Sequence, residues 1–571
     1  MSGLSGRQSL LLIPIAAAIV AFPLLVNGPS YGHDFYFHLL NWMEAARQFS
    51  HGTLYPRWAY GAAYNAGEPR FVFYPPLSWA IGALLGLILT HLPKISPQSA
   101  WTAVPIVYIW MCLTASGFAL YRAARAFADT GAALAASILY IANPYMLFTA
   151  YERSAYAELL AAAWMPLLLL AILSKEVRPH RVALPVALLW LTNAPAAVIG
   201  CYVLVVLVVL RIASAQFQNP GSATFLRHVR GVALPAAAGT LLGIGVAAFY
   251  FIPAAWERRF VQVSMAVIVN MRIDQNFLFE HTGTSPEALM HDAVLRTASW
   301  VAVALLVAAG AALLACWIQQ RRSSSVPKPG LLELPAKPLI GLTVILAFML
   351  TGPSNLIWQH APELLFLQFP WRLLLAVAPV FAFAAAAAFS RVRLRPAIAV
   401  ATGCVAAMMT TALAYPRFRQ VSEPEQSVAS RLHAFEQNKG FDPTDEYTPK
   451  TADNDALTPR HPGYWLSSES AARSPSASQP AITPSHFTVT AASPQYLILN
   501  LRDYPAWRIE INGRIEKERE QRDDGLITLP VPAGTSRIDI AYQHSVDEIV
   551  GDLLTVASLI ALYLLRRRKT V

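Results

Sequence analysis

The chain has 571 residues, is 55% hydrophobic and only 14% charged, and carries a formal net charge of +10. Soluble domains are about 25% charged, so this composition excludes an ordinary soluble enzyme and points to a polytopic membrane protein. The basic residues gather at the ends of apolar runs and form no nucleic-acid-binding motif, which argues against DNA or RNA as a partner.

Apolar runs that could cross a bilayer fall near residues 9–27, 101–120, 131–149, 156–173, 182–193, 195–211, 231–252, 297–318, 337–352, 371–390, 395–415 and 548–565. The first follows Arg7 and is trailed by no small-residue cleavage site, as expected of a retained signal anchor. The run at 182–193 is short, and the turn "TNAP" joins it to the next, so this pair also reads as a re-entrant hairpin. With Arg7 in the cytoplasm, the inner loops are "YRAARAFADTG", "SKEVRPHR", "RIASAQFQNPGSATFLRHVR", "QQRRSSSVPKPGLLELPAK", "SRVRLRP" and the tail "RRRKT". All are rich in Lys or Arg, as the positive-inside rule requires. A full crossing by "YPPLSWAIGALLGLILTHL" would invert every later loop, so residues 75–92 are expected to form a juxtamembrane or re-entrant helix on the outer side, with Pro75-Pro76 at its start. Both termini are then cytoplasmic. The cysteines Cys112, Cys201, Cys316 and Cys404 all lie within apolar runs, outside any CxxC or Cys/His pair, which argues against a disulfide framework or a thiolate metal site.

The outer face receives residues 28–100, the turn "YERSAYAE", residues 253–296 and residues 416–547. The expected division is a transmembrane domain over 1–415, an extracytoplasmic domain over 416–547, and a final span with its basic tail over 548–571. Residues 418–485 are polar and aperiodic. "HFTVTA", "QYLILNLRDY", "WRIEING", "GLITLPVPAG" and "SRIDIAYQ" then alternate as strands, with "INGR" as a hairpin turn, and predict a small β-sandwich within 486–545.

Candidate chemistry lies where polar groups meet the bilayer boundary. Asp34 follows the first span in an aromatic setting, where burial of a carboxylate is costly unless it is paired or used. It could equally cap the amphipathic helix "FYFHLLNWMEAARQF". His38 lies four residues on, on the same helix face, and an Asp/His pair could move a proton or bind a metal; an exposed helix histidine is the bland alternative. Arg57 and Glu68 share this outer loop. In "YERSAYAELLAAAW", Glu152 and Arg153 end one span while Tyr156 and Glu158 open the next. Glu158 suits the first turn of a helix, and Arg153 offers a fork for phosphate oxygens. Arg372 in "FPWRLL" sits at a span mouth, where snorkelling is the alternative, and Glu257 closes "FYFIPAAWE". Tyr36, Trp42, Trp58, Tyr64, Tyr74 and Trp79 suit interface anchoring or sugar stacking.

An acidic first outer loop, a "PPL" juxtamembrane segment and about ten further spans resemble the GT-C class of integral-membrane glycosyltransferases. More narrowly, "GHDFYFH", "PRWAYGAAYNAGEPRFVFYPPLSW", "YERSAYAE", "FYFIPAAWE", "FPWRLL" and "YPAWRIEINGR…PVPAG" resemble bacterial membrane proteins labelled 6-pyruvoyl-tetrahydropterin-synthase-related, and the YfhO-like membrane proteins. The fold class this implies is a GT-C-like polytopic helical membrane protein of about twelve spans, with a β-sandwich before the last. The resemblance implies inverting sugar transfer from a polyprenyl-phosphate donor to a glycan, lipid or protein acceptor at the outer face of the bacterial inner membrane. Asp34 is the expected general base. The expected substrate-binding residues are His38, Arg57, Glu68, Tyr74, Glu152, Arg153, Tyr156, Glu158, Glu257 and Arg372. No cofactor is expected, since a DxD motif is missing from the first loop. A divalent metal is the alternative, with Asp34, His38 and Glu158 as its ligands. A lipid-linked-sugar transporter or a non-catalytic scaffold are the rival readings.

The sidedness is testable by single-cysteine labelling in a background without the native cysteines. Asn512→Cys should react with a membrane-impermeant maleimide in intact cells, and Gln320→Cys only after permeabilisation. The reverse pattern would invert the topology.

Overall fold

The computed structural model describes residues 10–322, 331–391, 396–475 and 480–567. Arg7, the ends of the tail and parts of two basic inner loops lie outside these residues. Among the described residues, nine helices are long and apolar enough to cross a membrane. A tenth crossing is counted if Ala336–Met349 and Gly352–His360, bent by 95°, form one broken span. The chain is therefore a polytopic helical membrane protein, and among the described residues the full-length spans are fewer than the twelve expected.

Of the three expected runs missing from the nine, 337–352 falls in the bent pair, and the other two form Leu12–Asn27, with 16 residues, and Pro179–Thr192, with 14. At about 1.5 Å per residue the latter covers about 21 Å of a hydrocarbon core about 30 Å thick. It stops because Asn193 caps the next helix, accepting from the Ala196 N–H at 2.9 Å, while Thr192 accepts from the Trp164 indole at 3.0 Å. The result is a hairpin with Ala194–Gln218. Its short leg packs in parallel against the following span, where Cβ atoms on Gly239 and Gly243 would lie 2.6 Å from the Pro179 and Ala183 carbonyls. Small residues four apart permit this close approach of two helices.

The segment Pro76–Thr90 adds no crossing. Leu12–Asn27 runs antiparallel to the later half of Pro97–Ala124, with the Trp110 indole donating to the Pro14 carbonyl at 3.0 Å and Ile13 against Gly117. Ser78, at the start of Pro76–Thr90, accepts from Tyr108 at 3.3 Å, and Gly86 lies against Trp101. Pro76–Thr90 therefore doubles back along the other, N-terminal half of Pro97–Ala124.

The β region forms two packed sheets. The strands are β1 (Tyr464–Ser467), β2 (His486–Ala491), β3 (Gln495–Arg502), β4 (Trp507–Ile511), β5 (Arg514–Glu516), β6 (Leu526–Val531) and β7 (Gly534–Tyr542). The sheet orders are β1-β3-β6 and β2-β7-β4-β5, and every pairing is antiparallel. Asn512 and Gly513 take φ of 52° and 78° between Ile511 and Arg514, the two-residue turn that "INGR" predicts. The stretch read as aperiodic contains a helix as well, Val428–Glu436. Ser427 caps it, and it buries Val428 and Leu432 one turn apart.

This sandwich shares its core with the outer loop. Trp58 is buried among Tyr504 and Trp507, with ring centroids at 5.5 and 5.2 Å. Gly67 (φ 74°) passes so close to the Trp58 indole that no side chain fits there. Trp42, Trp58 and Trp79 are all at most 1% exposed, so they serve as core and not as interface anchors or stacking platforms.

Trp58→Ala should remove about 3–5 kcal/mol of packing and loosen the sandwich from the outer loop. Faster limited proteolysis within residues 416–547 would register this, and an unchanged digestion rate would contradict it.

Candidate functional site

Asp34 stands directly before the helix Phe35–Ser50 in the cap position, yet its side chain does not cap that helix. Among the described residues its half-buried carboxylate makes no hydrogen bond or ion pair. Its backbone is fixed instead, the Asp34 N–H donating to the Arg153 carbonyl at 2.9 Å. Gly32 makes this possible. A Cβ there would fall 2.4–2.7 Å from backbone atoms of Glu152, Arg153 and Ser154, so only glycine lets the two segments touch. Ser154 completes the seam, accepting from the Gly32 N–H at 3.1 Å and donating to the Ser30 carbonyl at 2.9 Å.

The partner segment is bent to suit. Phe148–Glu152 is a π-turn, in which the Arg153 N–H reaches back to Phe148 at 3.1 Å. Ser154 follows with φ 51°, and Tyr156–Ala161 starts the return. Such π-turns widen a helix and collect at functional sites. The double bend faces Arg153 toward Glu158, five residues later, Nη1 to Oε2 at 2.8 Å. Tyr145 donates to Glu158 Oε1. Arg372, from the one-turn helix Pro370–Leu373 that leads into Leu374–Arg391, brings its Nε to 3.5 Å from Glu158 Oε2. Arg153 and Glu158 are each 4% exposed. Two guanidinium groups thus share one carboxylate and keep one net positive charge between them. Asp34 lies close enough to both arginines for their charges to interact.

His38 sits one turn after Asp34, its ring 5.2 Å from Tyr156 and 5.9 Å from Tyr74. Burial pushes its pKa down to about 4, against the opposing pull of Asp34. It is a neutral imidazole at physiological pH. Burial likewise raises the Tyr74 phenol, which stays protonated.

Of the residues expected from sequence, Asp34, His38, Tyr74, Arg153, Tyr156, Glu158 and Arg372 come together. Arg57, Glu68 and Glu257 do not, because Glu68 and Glu257 are held at the joint with residues 416–547 and Arg57 at the start of the last helix, Val546–Arg567. Arg57 Nε pairs with Glu548 at 3.3 Å. Glu68 pairs with Arg70 at 2.6 Å and accepts the Thr444 N–H at 3.0 Å, while Arg70 also donates to Asn41 and Thr444. Glu257 accepts from Tyr504 and is pushed up to about 8 by burial. Glu152 contributes its backbone to the Gly32 seam, and its side chain meets Gln420. The alternative metal set of Asp34, His38 and Glu158 is not assembled, since Glu158 gives its oxygens to Tyr145 and Arg153. No group of three His, Cys, Asp or Glu able to hold a metal ion occurs among the described residues. Tyr145 escaped the sequence reading; its only cue was the helix start "NPY" inside an apolar run. A cavity of about 770 Å³ over Gln262, Asp445, Asn454 and Asp523 contains none of these side chains.

No protein-family model matches the chain, and no curated protein matches it. Among solved structures, the arabinofuranosyltransferase AftD from Mycobacteria aligns at 18% identity over 77% of this chain and 29% of that one, with a TM-score of 0.41. The apo oligosaccharyltransferase of Archaeoglobus fulgidus aligns at 14% identity over 79% and 62%, with a TM-score of 0.39. The chain spans less than two thirds of the length of either. Overlaps at these scores carry no weight for chemistry, which rests on the side chains described above.

The burial of His38 gives a signed pH effect. An unfolded histidine takes up a proton below pH 6.5, whereas the folded one resists until about 4. Stability should therefore fall as pH drops from 6.5 toward 4, by roughly 3 kcal/mol from this group. His38→Gln should flatten that part of the thermal-unfolding pH profile; an unchanged profile would contradict it.

Proposed function

We propose that the chain is an inverting, GT-C-type glycosyltransferase, acting at the outer face of a bacterial inner membrane with both termini cytoplasmic. Its donor is a sugar on a polyprenyl phosphate, and its acceptor is a hydroxyl of a glycan, lipid or protein. One observation carries the reading: an unpaired carboxylate, Asp34, stands beside a buried arginine–glutamate–arginine group with a net positive charge.

The chemistry follows from that arrangement. Asp34 takes the proton as the acceptor oxygen attacks the anomeric carbon. The bond from that carbon to the phosphate oxygen breaks, and its electron pair stays on the phosphate. Negative charge therefore grows on the phosphate in the transition state, where Arg153 and Arg372 stabilise it. In this reading the two arginines supply the positive charge that a divalent cation supplies in other members of the class. Glu158 and Tyr145 hold the arginines in place, and Glu158 keeps their mutual repulsion low. Half-buried Asp34 can return its proton to solvent. A polyprenyl phosphate keeps its tail in lipid and its head at the interface, which is the depth of a group built at span mouths.

The test combines variants with mass spectrometry of cell-envelope glycans. Asp34→Asn should lower transfer by about 10³-fold with membrane insertion intact. Arg153→Ala should weaken binding of a polyprenyl-phosphate probe by about tenfold or more. Transfer should survive chelation of divalent metals. Full activity in Asp34→Asn would remove the general-base role, and chelation-sensitive transfer would remove the arginine-only account of charge.

A further inference from the structure

The connection between the bent pair and the span after Pro370 passes through an uncommon turn. Gln368 has φ 61° and ψ −44°, and the Phe369 N–H donates to the Leu367 carbonyl at 2.6 Å. This is a γ-turn of the rare positive-φ form, strained for any residue with a Cβ and easiest for glycine. The chain places a glutamine there. Strain of this kind persists where surrounding contacts hold it, and such positions gather at functional sites.

The side chain of Gln368 supplies the reason. Its Nε2 donates to the Ala266 carbonyl at 2.6 Å, in the outer loop that follows Glu257. Its Oε1 lies 3.4 Å from Arg372 Nη1, and the same Nη1 donates to the Leu367 carbonyl at 2.9 Å. The turn therefore holds Arg372 by one nitrogen, from both its backbone and its side chain. The Nε of Arg372 faces Glu158 at 3.5 Å without forming a hydrogen bond, although it is buried. Among the described residues Nη2 has no hydrogen-bond partner either. With Nε turned to Glu158 and Nη1 held by the turn, Nη2 is the nitrogen left for a phosphate oxygen.

We propose that Gln368 is a positioning residue for Arg372, bracing its guanidinium so that Nη2 faces the donor phosphate while Nε stays turned to Glu158. The brace is anchored through Ala266, so the outer loop and the phosphate group share one support. This inference rests on the donor reading given above.

The experiment uses the full chain in lipid nanodiscs with two probes of the same tail, decaprenyl phosphate and decaprenol. Gln368→Gly relieves the turn and removes the brace, so its melting temperature should hold or rise. Its affinity for decaprenyl phosphate should fall about tenfold, the scale of one charge-assisted hydrogen bond, while decaprenol binds as before. Gln368→Asn, which tolerates positive φ but is one carbon too short to reach both partners, should behave the same way. Unchanged phosphate affinity in both variants would overturn the proposal. Equal losses for both probes together with a lower melting temperature would also overturn it, by marking Gln368 as merely structural. Arg372→Ala separates the two levels. If it too leaves phosphate binding intact, the donor reading itself fails; if it loses phosphate binding while the Gln368 variants do not, only the positioning role fails.

Discussion

Everything proposed for this protein depends on a buried carboxylate shared by two arginines. Taking an ion out of water costs several kcal/mol, which is recovered only with close partners and further hydrogen bonds. Glu158 has Arg153 at 2.8 Å, Arg372 at 3.5 Å and the Tyr145 hydroxyl. The two cations outnumber it, so the group is stable enough to persist and still attractive to an anion. Without Glu158 the arginines would repel each other in a poorly hydrated setting. With a second carboxylate paired to them, their charge would be cancelled. Asp34 avoids that outcome by standing near enough to feel the arginines while bonding to neither.

The fold keeps these groups at that separation through backbone, not side chains. The Gly32 seam ties the end of the first helix to the bend after the π-turn, so Asp34 and Arg153 move as one piece. The loop between residues 50 and 75 is in turn nailed to the β-sandwich by Trp58, and to the segment before it by the Glu68–Arg70–Thr444 network. Arg70 also donates to Asn41 on the helix that begins after Asp34. The segment 416–547 thus buttresses the helix that follows Asp34.

Much of this was legible in sequence because the bilayer makes polarity conspicuous. The basic loops supply an expected sidedness, and the strands of the sandwich follow from their alternation and the Asn-Gly turn. Asp34, Arg153, Glu158 and Arg372 stood out as charges at span ends. Arg57, Glu68 and Glu257 stood out for the same reason and proved to be joints, since their partners Glu548, Thr444 and Tyr504 lie hundreds of residues away and no local pattern reveals them. Tyr145 and Gln368 were invisible because a tyrosine in an apolar run and a glutamine in a loop are unremarkable until the fold gives them partners. The helix Val428–Glu436 was missed because two buried residues make too weak a period among polar neighbours.

The most direct measurement is a structure of the full chain in nanodiscs with a polyprenyl-phosphate sugar. The account places the phosphate within about 4 Å of both Arg153 and Arg372, with Asp34 on the opposite face of the anomeric carbon. A donor phosphate bound elsewhere, or Asp34 on the same side as the leaving group, would contradict it.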